Sequence, residues 1–223
     1  MTQRSIFAGK NETIVIKVGG SVTVKGHASD RLIAAGSGGL TVDRRSESEI
    51  GRARAAVGDH VLFDVRIRLP GKQASNEVIE VQIGGSGEVL VPFESNIKVY
   101  AGKDIDAQSI HGQVDAFAGL NLMIRDVHSL GNISAGGSMD IDAETMVGKD
   151  VTFSAGRDLR FHVADLTSLR LRVKDIGGYW EARIGGGEKS VYLKSGGDIT
   201  FVTDQQVEPL PPNYILGKIE PPA

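Results

Sequence analysis

Cysteine is absent from the 223 residues, which removes disulfides, thiolate metal sites and cysteine nucleophiles together and leaves the compartment open. Aromatic residues make up only 5%, which disfavours a core of bulky rings. Charge of one sign is also missing. The 28 acidic and 25 basic residues nearly cancel to a net −3 and form no long run, so the chain has no electrostatic footprint for nucleic acid or a membrane surface. No stretch approaches the roughly 18 consecutive apolar residues of a membrane span. The amino terminus holds no signal-peptide core, because Lys10, Asn11, Glu12 and Lys17 interrupt it. A cytoplasmic protein is the expectation, with the cell surface as the alternative if a leader precedes Met1.

Glycine, by contrast, is abundant at 29 residues, which favours many turns and small side chains. A short phrase recurs around these glycines: AGKDIDA at Ala101, AGLNLMI at Ala118, AGGSMDI at Ala135, AGRDLRF at Ala155 and SGGDITF at Ser195. Its glycines, Gly102, Gly119, Gly136, Gly156 and Gly196, stand 17, 17, 20 and 40 residues apart, and the last gap reads as two turns of 20. The missing turn would be supplied by Val173, Ile176 and Gly177-Gly178, with Trp180 available to fill or cover an end. A period of roughly 17–20 residues with β alternation inside it predicts a β-solenoid, in which each turn stacks on the one before.

Alignment on the glycines produces two apolar columns, Ile105, Leu122, Met139, Leu159 and Ile199, then Ala107, Ile124, Ile141, Phe161 and Phe201. These should form the core. Asp106, Met123, Asp140, Arg160 and Thr200 stand between them and must face outward. A second apolar segment in each period, seen in Val114 and Ala116, in Ile133, and in Val151 and Phe153, predicts two strands per turn and thus two facing parallel sheets.

The amino-terminal part is less regular. Ile14, Ile16 and Val18, then Gly19-Gly20-Ser21, then Val22 and Val24 form a weak copy of the phrase, and another follows at Ala35-Gly36. Residues 43–58 are the one plausible helix, with Ser46 and Glu49 spaced as a capping box and Ile50, Ala53 and Val57 on one side. Arg44, Arg45, Arg52 and Arg54 there are mixed with Asp43, Glu47 and Glu49, which favours a solvated segment over an anion site. His60–Leu69 alternates strictly, and Glu77–Ile83 is its expected partner in an antiparallel hairpin. After residue 204 the pattern stops. The stretch from Gln205 to Ala223 holds five of the seven prolines, which predicts an extended tail. The division expected is a single β-solenoid domain over 1–204, irregular with a hairpin over 1–94 and regular over 95–204, followed by a proline-rich tail over 205–223.

Three patterns bear on chemistry. IVIKVGGSV at Ile14 resembles the opening of amino-acid kinases, but Val22, Thr23, Val24 and Lys25 continue as a strand where that fold needs a helix. The column Asp104, Asn121, Ser138, Asp158 and Asp198 could be read as a carboxylate ladder for calcium or glycan hydrolysis. All five residues, however, share the ability to hydrogen-bond the backbone of a turn. They are therefore assigned, with Gly102, Gly119, Gly136, Gly156 and Gly196, to structural turns. His111 and His128 should stack one turn apart and are the weak candidates for a metal site. No catalytic residue and no cofactor are expected.

Val91 to Asp142, VPFESNIKVYAGKDIDAQSIHGQVDAFAGLNLMIRDVHSLGNISAGGSMDID, resembles the bacterial family of β-solenoid domains of unknown function labelled "putative adhesin". There a Val-Pro segment leads into repeated small-Gly-Asp-apolar turns, and the likeness extends over Val18 to Phe201. It implies a solenoid whose turns are usually Ser-Gly-Asp, written here chiefly as Ala-Gly-Lys/Arg-Asp. The functional expectation is a non-enzymatic scaffold that associates with copies of itself, because an open solenoid leaves strand edges unpaired at its ends. Bactofilin-like filament proteins, with similar polar tails but a more uniform hydrophobic repeat, are the nearest alternative within that structural class. The alternative is an adhesin-like module displaying a ligand surface, and the remote alternative is a carbohydrate-active solenoid enzyme.

Overall fold

The computed structural model describes residues 1–9, 12–46, 52–57, 60–66, 77–146, 150–164, 169–175, 178–184 and 189–202. The described residues are all-β. Strands β1 (Thr2–Phe7), β2 (Thr13–Val18), β3 (Val22–His27), β4 (Arg31–Gly36) and β5 (Leu40–Ser46) come first. A hairpin of β6 (Arg52–Val57) and β7 (His60–Arg66) follows, then β8 (Glu77–Ile83), β9 (Gly87–Pro92) and β10 (Asn96–Ala101). The long strands β11 (Ile105–Ala118) and β12 (Leu122–Ala135) precede β13 (Met139–Met146), β14 (Asp150–Ala155) and β15 (Leu159–Val163). The series closes with β16 (Leu169–Asp175), β17 (Gly178–Ile184), β18 (Lys189–Ser195) and β19 (Ile199–Val202). Seventeen strands belong to one open sheet, and β6 and β7 pair separately.

Parallel ladders carry the large sheet. One runs β8, β2, β10, the C-terminal half of β11, that of β12, β14 and β18. The other runs β9, β3, the N-terminal half of β11, that of β12, β13, β15 and β19. A glycine corner joins the ladders in each layer, at Gly84, Gly19, Gly102, Gly119, Gly136, Gly156 and Gly196 in spatial order. At each step the corner N–H donates to the layer below, as Gly102 does to Val18 at 2.9 Å, Gly119 to Ala101 at 2.9 Å and Gly136 to Ala118 at 3.0 Å. Shifts in the β11–β12 register after Ile110 and after Val114 bend the long strands between their two halves.

Inward residues of both ladders form one apolar core. Ile105, Leu122, Met139, Leu159 and Ile199 are buried, as are Ala107, Ile124, Ile141 and Phe161. From the other ladder come Ile14, Ile16, Ile79, Val81, Ile97, Val99, Val114, Ala116, Ile133 and Phe153. Aliphatic side chains such as Ile105, Ile110, Leu122 and Ile124 fill the middle layers, and the tilted rings of Phe153 and Phe161, 5.1 Å apart, fill the core toward the last layers.

Four expectations change. Strands β5 and β6 fall where the capping-box pattern over residues 43–58 predicts a helix, residues 47–51 and 58 lying outside those described. β5 pairs with β8 along its whole length, from Leu40 with Ile83 to Ser46 with Glu77, so ladder formation overrides a local signal already weakened by Gly51. Glu77–Ile83 is not the hairpin partner of His60–Leu69. β7 pairs with β6, while both edges of β8 are taken, antiparallel by β5 and parallel by β2. The corner after β4 stacks on Gly84 but in the antiparallel sense, and Gly38 and Gly39 adopt φ of 73° and 97° to make it. The long gap between Gly156 and Gly196 holds no intervening turn: β18 lies directly on β14 and β19 on β15. β16 and β17 form a hairpin placed beyond β18. Trp180 stands in β17 opposite Val173, its side chain outside what the structure describes, and the proline-rich tail also lies outside the described residues.

Candidate functional site

Strand alternation and the corner residues together shape a groove of about 930 Å³ along the outer face of the β9–β3–β11–β12–β13–β15–β19 ladder. Its floor is the outward column Thr23, Asp106, Met123, Asp140, Arg160 and Thr200, which register pairing brings into line. One wall is the corner column Ser21, Asp104, Asn121, Ser138, Asp158 and Asp198.

The wall is occupied with holding the backbone. Asp104 Oδ1 accepts from the Asn121 N–H and from Asn121 Nδ2, both at 3.1 Å. The Ser21 hydroxyl donates to Asp104 Oδ2 at 3.0 Å. Asn121 Oδ1 in turn accepts from the Ser138 N–H, and Asp158 Oδ1 from the Asp198 N–H, each at 3.1 Å. The Asn121 amide, followed by the Ser21 hydroxyl, holds the Asp104 carboxyl below its ordinary value. Ser21, Asp104, Asn121 and Asp158 thus tie their corners to the next one up. On the floor Asp106 pairs with Arg125, 3.0 Å away, and Met123 is 39% exposed.

The structure places the His111 and His128 rings face to face, 4.2 Å between centroids and 10° between planes, and Phe93 stacks on the other side of His111 at 4.7 Å. In parallel stacked rings the nitrogen lone pairs run side by side and do not converge, which is poor geometry for a shared metal ion. Glu144 lies 3.3 Å from His128 and Glu94 3.8 Å from His111, yet among the described residues no group of three possible ligands comes together. Periodicity reveals the imidazole pair but not Phe93, which lies outside the phrase. Sequence reasoning also misses Tyr100 and Phe117, stacked at 5.1 Å on the outward face of the opposite ladder. Burial, then the neighbouring Asp115 carboxylate, raises the Tyr100 phenol above its ordinary value.

No family model matches this chain, and no curated protein does. Among solved structures, a "putative cell adhesion protein" from Clostridium sporogenes ATCC 15579 is similar over 91% of this chain and 99% of its own, at 8% identity and a TM-score of 0.46. No helix among the described residues is long and apolar enough to cross a membrane. The site reading therefore rests on geometry alone.

Proposed function

We propose that this chain is a non-enzymatic structural protein, a β-solenoid with two strands per turn that associates with copies of itself through its ends. One observation carries the reading: two of the three carboxylates in the corner column, Asp104 and Asp158, and the Asn121 amide oxygen between them accept backbone N–H groups of the next corner. Function then falls to the ends. There β1 pairs only with β4 and β19 only with β15 among the described residues, so that within those residues the outer edge of each has no strand partner. Interior strands such as β10 and β13 are covered on both sides.

Light scattering over a wide concentration range, with electron microscopy of the same samples, tests the proposal. Oligomers or filaments are expected, reduced when residues 205–223 are deleted. A strict monomer at every concentration, unchanged by that deletion, overturns it. The second reading, a binding module, is favoured by Tyr100 at 40%, Leu120 at 47% and Met123 at 39% exposure, and it predicts that a ligand protects these residues from oxidation or labelling.

A further inference from the structure

The layers do not follow chain order. β2 and β3 lie between β8–β9 on one side and β10–β11 on the other, although β9 and β10 are consecutive in sequence. Only Phe93, Glu94 and Ser95 join β9 to β10, and they step across the β2–β3 layer, a distance of roughly 10 Å for two strand spacings. The Phe93 N–H donates to the His27 carbonyl at 3.1 Å, so this strap closes against the end of β3. Residues 77–118 therefore enclose a slot one layer thick, and residues 13–27 fill it.

The plug is held in the slot by many contacts but joined to it by a long connection. Register partners run along the whole length of β2 on both sides, from Thr13 with Val78 and Asn96 to Val18 with Ile83 and Ala101. Ser46 and Glu77, where the amino-terminal segment ends and the slot begins, are themselves register partners. The whole of 47–76 joins these adjacent points. Even without the β6–β7 hairpin, the remaining half of that connection is long enough to span up to about 50 Å.

We infer that the slot takes the same plug, residues 13–27, from a second copy of the chain, so that copies assemble by exchanging their amino-terminal segments. This deepens the self-association reading and rests on it. Exchanged and unexchanged forms contain identical ladders, so concentration and folding route decide between them. Plug and slot are distant in sequence, as the pairing of Thr13 with Val78 shows, which makes their closure slow relative to pairing within 77–118. A neighbour's plug competes during that interval.

The absence of cysteine makes a direct test available. Lys25 and Gln108 are register partners across β3 and β11. Full-length Lys25→Cys and Gln108→Cys chains, distinguishable by size, are unfolded, mixed, refolded at high concentration and oxidised. A disulfide-linked heterodimer is expected, at least about tenfold above that from mixing the folded proteins, while the double variant refolded in dilution closes the bond within one chain. Closure within the double variant without heterodimer overturns exchange. If light scattering finds oligomers in that sample, association through the ends survives; if it finds monomers, both fall. A second variant replaces residues 47–76 by Asn-Gly, so that a tight turn joins Ser46 to Glu77 and holds the plug in its own chain. Carried on the Lys25→Cys and Gln108→Cys chains, this change must abolish the disulfide-linked heterodimer formed on concentrated refolding, and a heterodimer that persists overturns exchange through this connection.

Discussion

Gly119 sits directly over the carbonyl oxygen of Gly102, so that a Cβ at Gly119 would fall closer than 3.0 Å to that oxygen. The same relationship recurs between Gly136 and Gly119, and between Gly156 and Gly136. The corner glycines are thus required by the close passage of the backbone one layer away, and no positive φ is needed to explain them.

Gly119→Ala must push two layers apart or break the corner, at a cost of about 2–3 kcal/mol. For a chain of this size that lowers Tm by about 4–12 °C. Gly9→Ala is the control, since among the described residues its Cβ would meet just the Glu12 carboxylate, at 3.8 Å. Thermal unfolding of the two variants should separate them clearly; equal Tm values would refute the close-packed corner.

Asp104 provides a pH test. Its folded-state carboxyl lies below the ordinary 3.8 because the Asn121 amide and the Ser21 hydroxyl bind the charged form. The stabilisation is therefore present above 3.8 and is lost as pH falls through the lower folded value. Asp104→Asn keeps an acceptor for the Asn121 N–H but cannot titrate. Its Tm should fall less than that of the parent between neutral pH and about pH 2. Identical slopes would show that the corner hydrogen bonds do not depend on charge.

The sequence makes the corners and core legible because both are local. One glycine fixes a close approach, and alternate positions after the following polar residue point inward, as Ile105 and Ala107 do. Layer order is not local. Ile79, Val81 and Ile83 have the same alternation whether their strand lies beside β2, β5 or β7, and backbone hydrogen bonds do not distinguish among them. The insertion of β2–β3 between β9 and β10 therefore leaves no mark in the periodicity. The long gap before Gly196 misleads for a similar reason, since a hairpin placed beyond the stack lengthens the chain without adding a corner. For the groove, the types Asp, Asn and Ser identify turn residues, whereas the stacking of Tyr100 on Phe117 depends on register between β10 and β11.

The stacked rings give a third prediction. His111 lies between Phe93 and His128, so His111→Ala removes two stacking contacts and should cost about 1–3 kcal/mol, against about 0.5–1.5 kcal/mol for His128→Ala, which removes one. Addition of zinc or nickel to the folded protein should change neither Tm nor the histidine NMR shifts. A metal-dependent rise in Tm that disappears in both variants would restore the metal reading.

Lys17 and Glu80 supply the last. Glu80 faces away from the core yet is only 3% exposed, and the Lys17 ammonium meets its Oε1 at 2.5 Å across the β2–β8 ladder. Withdrawing the cation leaves a carboxylate shielded from water with less compensation, so Lys17→Met should cost about 2–4 kcal/mol. Removing the charge as well should recover much of that loss, because the penalty belongs to the buried anion and not to the missing lysine. Denaturant unfolding of Lys17→Met, Glu80→Gln and the double variant measures the coupling directly. A double variant whose loss equals the sum of the single losses would show that the two side chains act independently, and that the β2–β8 junction is held by its backbone ladder and apolar core alone.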